Sequence, residues 1–155
     1  MKAAVLREIN RPLEVEEVSI DNPGPNEVLV QTRATGVCHS DLHFVEGTYS
    51  IRMPAVLGHE AAGVVESVGS LVTYVKRGDP VILCLSVFCG HCEYCLRGQP
   101  NLCTRTDVVR GSDEPPRLSQ NGEAITQFAQ LGTYAEQMLV HEHSLVKVDD
   151  DVPYD

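Results

Sequence analysis

Cys89-Gly90-His91-Cys92-Glu93-Tyr94-Cys95-Leu96-Arg97-Gly98-Gln99-Pro100-Asn101-Leu102-Cys103 sets four thiols two, two and seven residues apart. Zinc takes four soft ligands in a tetrahedron, and thiolates at this spacing can wrap one ion without help from the rest of the chain. Gly90, Gly98 and Pro100 occupy the gaps, where a backbone must turn tightly around a metal. Two disulfides or redox-active pairs would use the same residues, but two consecutive Cys-x-x-Cys steps followed by a fourth thiol are the pattern of a metal lobe. The run therefore predicts a structural zinc lobe over about 86–106, held by Cys89, Cys92, Cys95 and Cys103. A site closed by four protein ligands leaves no open position for chemistry, so any catalysis must lie elsewhere.

Two cysteines remain. Cys84 falls in the apolar run 80–85 and reads as a small hydrophobe on a buried strand. Cys38 lies in Gly36-Val37-Cys38-His39-Ser40-Asp41-Leu42-His43, which crowds a thiol, two imidazoles, a hydroxyl and a carboxylate together. A second dense cluster follows in Gly58-His59-Glu60-Ala61-Ala62-Gly63, where the chain passes from a loop into a strand-like run. Cys38 and His59 are acceptable zinc ligands, and Glu60 is a third candidate. Ordinary roles fit each residue taken singly, such as Ser40 or Asp41 capping a short helix. Local spacing leaves open whether the two clusters meet.

The rest of the chain is mostly β. Segments 2–6, 13–18, 27–34, 61–68, 81–85, 134–140 and 145–148 alternate or run apolar between Gly/Pro turns, as half-buried strands do. Short helices are expected only around 40–45 and 93–97. Many short strands with frequent turns predict a mainly β, partly open barrel. The stretch 104–131 is poorly patterned, and Gly111 to Arg117 reads as a solvated loop. Asp149, Asp150 and Asp151 read as a solvated linker. A length of 155 residues supports one core, and no apolar run approaches the roughly 20 residues of a membrane span. A formal charge of −10 argues against nucleic acid, because a binder needs a basic face to displace counterions. Cysteines in metal spacing favour a reducing, cytoplasmic compartment.

These motifs, taken in order, resemble the N-terminal catalytic domain of the zinc-dependent medium-chain alcohol dehydrogenases. Gly58-His59-Glu60 with Gly63 and Gly69 is similar to the family signature. Cys38, Ser40 and His43 have the spacing of its catalytic loop, and the four-cysteine run matches its structural zinc. The resemblance covers 1–155 and implies a GroES-like barrel with the cysteine lobe inserted. It also implies a set of roles. Cys38 and His59 would be ligands of a catalytic zinc, and Glu60 would sit behind the metal as a transient ligand. Asp41 would accept a hydrogen bond from His59 and fix its tautomer. Ser40 would take the proton of a bound alcohol and pass it along a relay ending at His43. His39 would face the pyrophosphate of an NAD or NADP cofactor.

No two of the 12 glycines stand two positions apart, so this chain holds no Gly-x-Gly-x-x-Gly dinucleotide fingerprint. In the family that fingerprint lies in a following Rossmann domain, and by resemblance the last cysteine ligand of the catalytic zinc would lie just beyond Asp155. By resemblance, the full-length enzyme would be a homo-oligomer that interconverts small-molecule alcohols and aldehydes or ketones by hydride transfer. This chain alone is expected not to catalyse that reaction without its cofactor domain. The length of the 104–131 segment is more like the thiol-dependent aldehyde branch or the classical alcohol branch than the compact bacterial enzymes. Two other readings stand beside the enzyme: a non-enzymatic zinc-binding module, and a cysteine-based redox or metal-storage domain with reactive thiols.

Overall fold

The computed structural model describes residues 1–104 and 107–154. In chain order the elements are β1 (Lys2–Leu6), β2 (Glu14–Glu17), β3 (Ser19–Ile20), β4 (Glu27–Thr35), α1 (His39–Val45), β5 (Ala55–Val56), β6 (Ala61–Val68) and β7 (Pro80–Leu83). Then come α2 (Glu93–Leu96), β8 (Leu118–Gln120), β9 (Glu123–Ala124), β10 (Thr126–Gln127), β11 (Gln137–His141) and β12 (Leu145–Lys147). Single 3₁₀ turns at Pro100–Leu102, Phe128–Gln130 and Glu142–Ser144 add to the two short helices that the sequence predicts. Among the described residues no helix is long and apolar enough to cross a membrane.

Three sheets curl around the core in the orders β10-β5-β1-β2, β11-β4-β6-β7-β12 and β3-β8-β9. The seven strands expected from sequence all form, and the short β3, β5, β8, β9 and β10 are added to them. Their brevity explains why no alternation announces them: two or three residues carry no period. The five-stranded sheet buries Val28, Val30, Val65, Val81, Met138, Val140 and Leu145 on one face. A second cluster of Ala3, Val5, Val18, Val56, Leu118 and Ile125 fills the space beneath the four-stranded sheet. Register shifts interrupt the β4–β6 ladder between Leu29 and Val30 and between Thr32 and Ala34. Such bulges increase local twist, which lets a short sheet curl towards closure.

Two pairings decide where the polar clusters go. The antiparallel β4–β6 ladder runs from Val28↔Val68 to Thr35↔Ala61. Beyond its last pair, one strand continues into Gly36-Val37-Cys38 and the other is preceded by His59 and Glu60, so both clusters emerge at one end. The Gly36 N–H donates to the Glu60 carbonyl at 2.8 Å and extends the pairing by a step. Meanwhile β5 pairs in parallel with β10, Ala55 beside Thr126 and Val56 beside Gln127, which carries Phe128 alongside Leu57 to His59. Gly58 sits between these strands at φ 87, in the left-handed region that favours glycine. A Cβ there would run into Thr133 Oγ1 and the Tyr134 ring.

Two expectations fail. Cys84 is exposed, because β7 ends at Leu83 and the Cys84 N–H instead donates to the Ser144 carbonyl at 2.8 Å. Arg117, assigned to a solvated loop, is only 7% exposed. Its Nε donates to Glu27 Oε1 at 2.6 Å, and Arg110 bonds the other Glu27 oxygen and Asp21, each at 2.5 Å. Burial opposes ionisation of Glu27, but the hydrogen bonds and charges of Arg110 and Arg117 outweigh it and hold the carboxyl below its ordinary range. The expected lobe boundary at 106 and the final residue 155 lie outside the described residues.

Gly58→Ala should destabilise the domain by about 3 kcal/mol, combining a left-handed alanine with an overpacked contact; chemical denaturation measures it. Arg117→Ala should cost on the order of 3 kcal/mol by leaving Glu27 buried with Arg110 as its remaining guanidinium partner. Because the folded pKa of Glu27 is depressed, its stabilisation is present above the unfolded carboxyl range and lost as pH falls through the folded value. Glu27→Gln should therefore flatten the acid limb of a stability–pH profile measured by urea melts.

Candidate metal centre and its surroundings

Cys38 caps the N-terminus of α1, extended at φ −102 and ψ 145, so the helix begins where β4 has ended. Cys38, His59 and Glu60 offer ligand atoms that all lie within 4.8 Å of one another. The two clusters that the sequence left apart thus meet. Ser40 Oγ lies 3.2 Å from Cys38 Sγ and 3.4 Å from His59 Nε2, among the three candidate ligands. His59 Nε2 is 3.7 Å from Glu60 Oε1. The Glu60 side chain folds across Gly36, where any Cβ would collide with it. Glu60 is half-exposed and His59 is buried.

Asp41 is 4% exposed and lies on the far side of the His59 ring. Its Oδ1 stands 3.4 Å from His59 Nδ1, yet among the described residues that buried nitrogen makes no hydrogen bond. Asp41 is held instead by the Gly58 N–H at 2.9 Å and by the Tyr134 hydroxyl at 3.0 Å. Burial, then the bond to Asp41 and its charge, push Tyr134 up to about 12, so the phenol stays a donor. A carboxylate facing Nδ1 favours the tautomer that carries its proton there, leaving the Nε2 lone pair towards Cys38 and Glu60.

His43 lies one turn along α1 from Ser40. Among the described residues the two make no direct hydrogen bond, and His43 Nδ1 is buried without a partner. His39 is exposed, with its ring edge-on to His43 at 4.9 Å. Aromatic rings enclose the inner side: Tyr49 packs on His43 at 5.1 Å and on Phe44 at 5.7 Å. Phe128 packs on Phe44 at 4.5 Å and edge-on to His59 at 5.3 Å. Sequence reasoning missed Phe128 and Tyr134. Both reach the site through pairings with the β5 region, and neither carries a local motif. An apolar cavity of about 480 Å³ opens on the outer side, lined by Leu13, Val37, Cys38, Leu42, Leu57 and Tyr134.

The second cysteine cluster lies in its own lobe. Sγ–Sγ distances are 3.5 Å for Cys92–Cys95 and 3.9 Å for both Cys89–Cys95 and Cys92–Cys103. These are far longer than the ~2.05 Å of a disulfide. Backbone N–H groups of Cys89 and Cys92 point at Cys103 Sγ and Cys89 Sγ, at 3.2 and 3.3 Å. Hydrogen bonds from the backbone at Cys95 and beyond hold Cys92 below the usual thiol range. Gly90 and Gly98 take left-handed φ values of 85 and 75, as the tight turns demand. Val87 and Val108 pack with the cysteines. The lobe is fastened to the barrel by Phe88, which stacks on His143 at 4.7 Å and accepts a 2.6 Å bond from its Nδ1.

The family described as the alcohol dehydrogenase GroES-like domain matches residues 24–150. A Mycobacterium tuberculosis protein assigned as alcohol dehydrogenase D is 45% identical over 154 residues, 97% of this chain and 42% of that protein. Among solved structures, an alcohol dehydrogenase zinc-binding domain protein from Burkholderia ambifaria superposes with a TM-score of 0.89 at 36% identity, over 99% of this chain and 43% of its own. Benzyl alcohol dehydrogenase from Acinetobacter calcoaceticus gives a TM-score of 0.85 at 34% identity, over 99% and 42% of the two chains. The chain therefore spans less than half the length of these relatives. It belongs to the alcohol dehydrogenase GroES-like domain family.

Proposed function

We propose that this chain is the zinc-bearing catalytic domain of an NAD(P)-dependent alcohol dehydrogenase that interconverts alcohols and aldehydes or ketones. The convergence of Cys38, His59 and Glu60 around the Ser40 hydroxyl carries this reading. Three donors from side chains leave a coordination position open, which is the arrangement of a catalytic rather than a structural zinc. The four-thiol lobe fits a closed site: a tetrahedron with Zn–S bonds of about 2.3 Å has S–S edges near ~3.8 Å, close to the separations observed here. Cys89, Cys92, Cys95 and Cys103 would hold that structural ion.

Bound zinc would supply the Lewis acidity that lets an alcohol ionise near neutral pH, and a bound nicotinamide dinucleotide the hydride acceptor. The residues of this chain handle position and the proton. Ser40 Oγ, beside Cys38 and His59, would accept the substrate hydroxyl proton. His43, whose buried Nδ1 has no hydrogen-bond partner among the described residues, would receive it further along α1. Asp41, fixed by Gly58 and Tyr134, holds the His59 tautomer. Phe44 and Phe128, packed on each other, set an apolar face beside His59. His39, exposed at the start of α1, is assigned to the cofactor phosphates. A purely structural zinc module has no physical need for the Cys38–Ser40–His59–Glu60 constellation.

Elemental analysis should find two zinc ions per chain, falling to one in Cys38→Ala and, independently, to one in Cys95→Ser. A wild-type chain that holds a single ion, unchanged in Cys38→Ala, would sink the catalytic-site reading. In the full-length protein, Ser40→Ala should lower kcat for alcohol oxidation by about 10²-fold, as loss of a proton-transfer group does. Thiol titration of the zinc-loaded chain should show Cys84 reacting quickly, with the lobe cysteines following only after chelation. Six rapidly reacting thiols at full zinc loading would instead favour the redox or storage reading.

A further inference from the structure

We infer that Phe128 is a positioning residue for His59: it fixes the imidazole plane so that Nε2 faces Cys38 and Glu60. The inference rests on the proposed metal site and adds to it a residue that would not touch the metal.

His59 is 9% exposed, and among the described residues its Nδ1 makes no hydrogen bond even though Asp41 Oδ1 is 3.4 Å away. Its hydrogen bonding is the long 3.4 Å contact between Nε2 and Ser40 Oγ, a weak restraint, and rotation about the bond to an imidazole is soft. The Phe128 ring stands perpendicular to it, at 89° and a centroid distance of 5.3 Å. Such an edge-to-face contact is directional as well as apolar. Phe128 also leans on Phe44 at 4.5 Å, and Phe44 belongs to the helix that Cys38 caps. One ring thus braces both His59 and the element that presents Cys38.

Phe128 is itself held from behind. Ala129 and Gln130 adopt left-handed φ values of 52 and 63, a conformation that non-glycine residues resist. The turn closes by bonds from the Leu131 and Gly132 N–H groups to the Phe128 carbonyl at 2.9 and 3.1 Å. Gln130 Oε1 accepts from Arg117 Nη1 at 3.3 Å, and Arg117 is anchored on buried Glu27. The parallel β5–β10 pairing sets the turn beside the loop that carries His59. Two unfavourable backbone conformations, a buried ion pair and a ladder converge on the placement of one phenyl ring.

Cobalt(II) is the probe, titrated into the metal-free chain and followed by thiolate-to-cobalt absorption. The wild type should take two ions, and Cys38→Ala should identify the second. Phe128→Leu should bind the second ion about tenfold more weakly while the lobe ion is unchanged, and Phe128→Tyr should restore the affinity. In the metal-free chain, the ring-current displacement of the His59 proton resonances should be lost in Phe128→Leu and kept in Phe128→Tyr. Wild-type affinity for the second ion in Phe128→Leu overturns the inference while leaving the site standing. Loss of the lobe ion in the same variant also overturns it, since the effect would then be general unfolding. A wild-type chain that takes a single ion, unchanged in Cys38→Ala, overturns the site reading and the inference together.

Discussion

The β4–β6 ladder is the constraint on which the site depends. Its final pair, Thr35↔Ala61, sets the two strand ends side by side, and everything chemically interesting hangs just beyond it. A strand's side chains alternate, so slipping the register by one residue would turn the buried Val28, Val30 and Val65 to the wrong face. Burial of Val28, Val30 and Val65 therefore fixes the register, and the register fixes the approach of Cys38 to His59. Core packing and site geometry are one decision. The Gly36–Glu60 backbone bond and the Thr35 hydroxyl, which donates to the same Glu60 carbonyl at 2.9 Å, carry that decision one step into the loop.

A good deal of this was legible in the residues. The lobe could be read from spacing because its ligands are local: four thiols within one turn-rich segment need no tertiary information. The long strands could be read because β1, β4 and β6 are long enough to show a period. Cys38 and His59 were visible as candidates, but their meeting was not, since it is set by a ladder between segments whose sequences do not mention each other. Cys84 was misread because an apolar run does not say where a strand ends; β7 stops one residue short of it and the thiol turns outward. Arg117 was misread because a polar, proline-containing stretch looks solvated until its partner is known, and that partner, Glu27, lies at the head of a strand far upstream. Tyr134 and Phe128 carry no local signature at all.

Charge is distributed with a corresponding economy. The surface carries most of the −10 net charge, including the exposed acidic run 149–151. The buried charges are matched: Glu27 by two arginines, and Asp79 by Lys147 at 2.8 Å and by the Lys76 N–H at 2.9 Å. Asp41 differs. It is buried with neutral donors and a histidine instead of a cation. A buried carboxylate without a cationic partner is costly as architecture and useful beside a cation, since its field stabilises whatever positive charge develops across the ring.

The parallel pairing of β5 with β10 has a consequence for the order in which the domain is made. Strand β5 comes from the first half of the chain and β10 from the second, with α1, β6, β7 and the cysteine lobe already synthesised before Thr126 appears. On a ribosome, the antiparallel β4–β6 pair can form before the second half of the chain is made, so Cys38 and His59 can become neighbours while translation continues. Their pocket then stays open on one side until Phe128 and Tyr134 emerge from the exit tunnel. Pairings between segments so distant in sequence are the slow steps of folding. The nascent chain therefore passes through a period in which its thiol and imidazole are together, unwalled and accessible to ions, before the last aromatic rings shut the pocket.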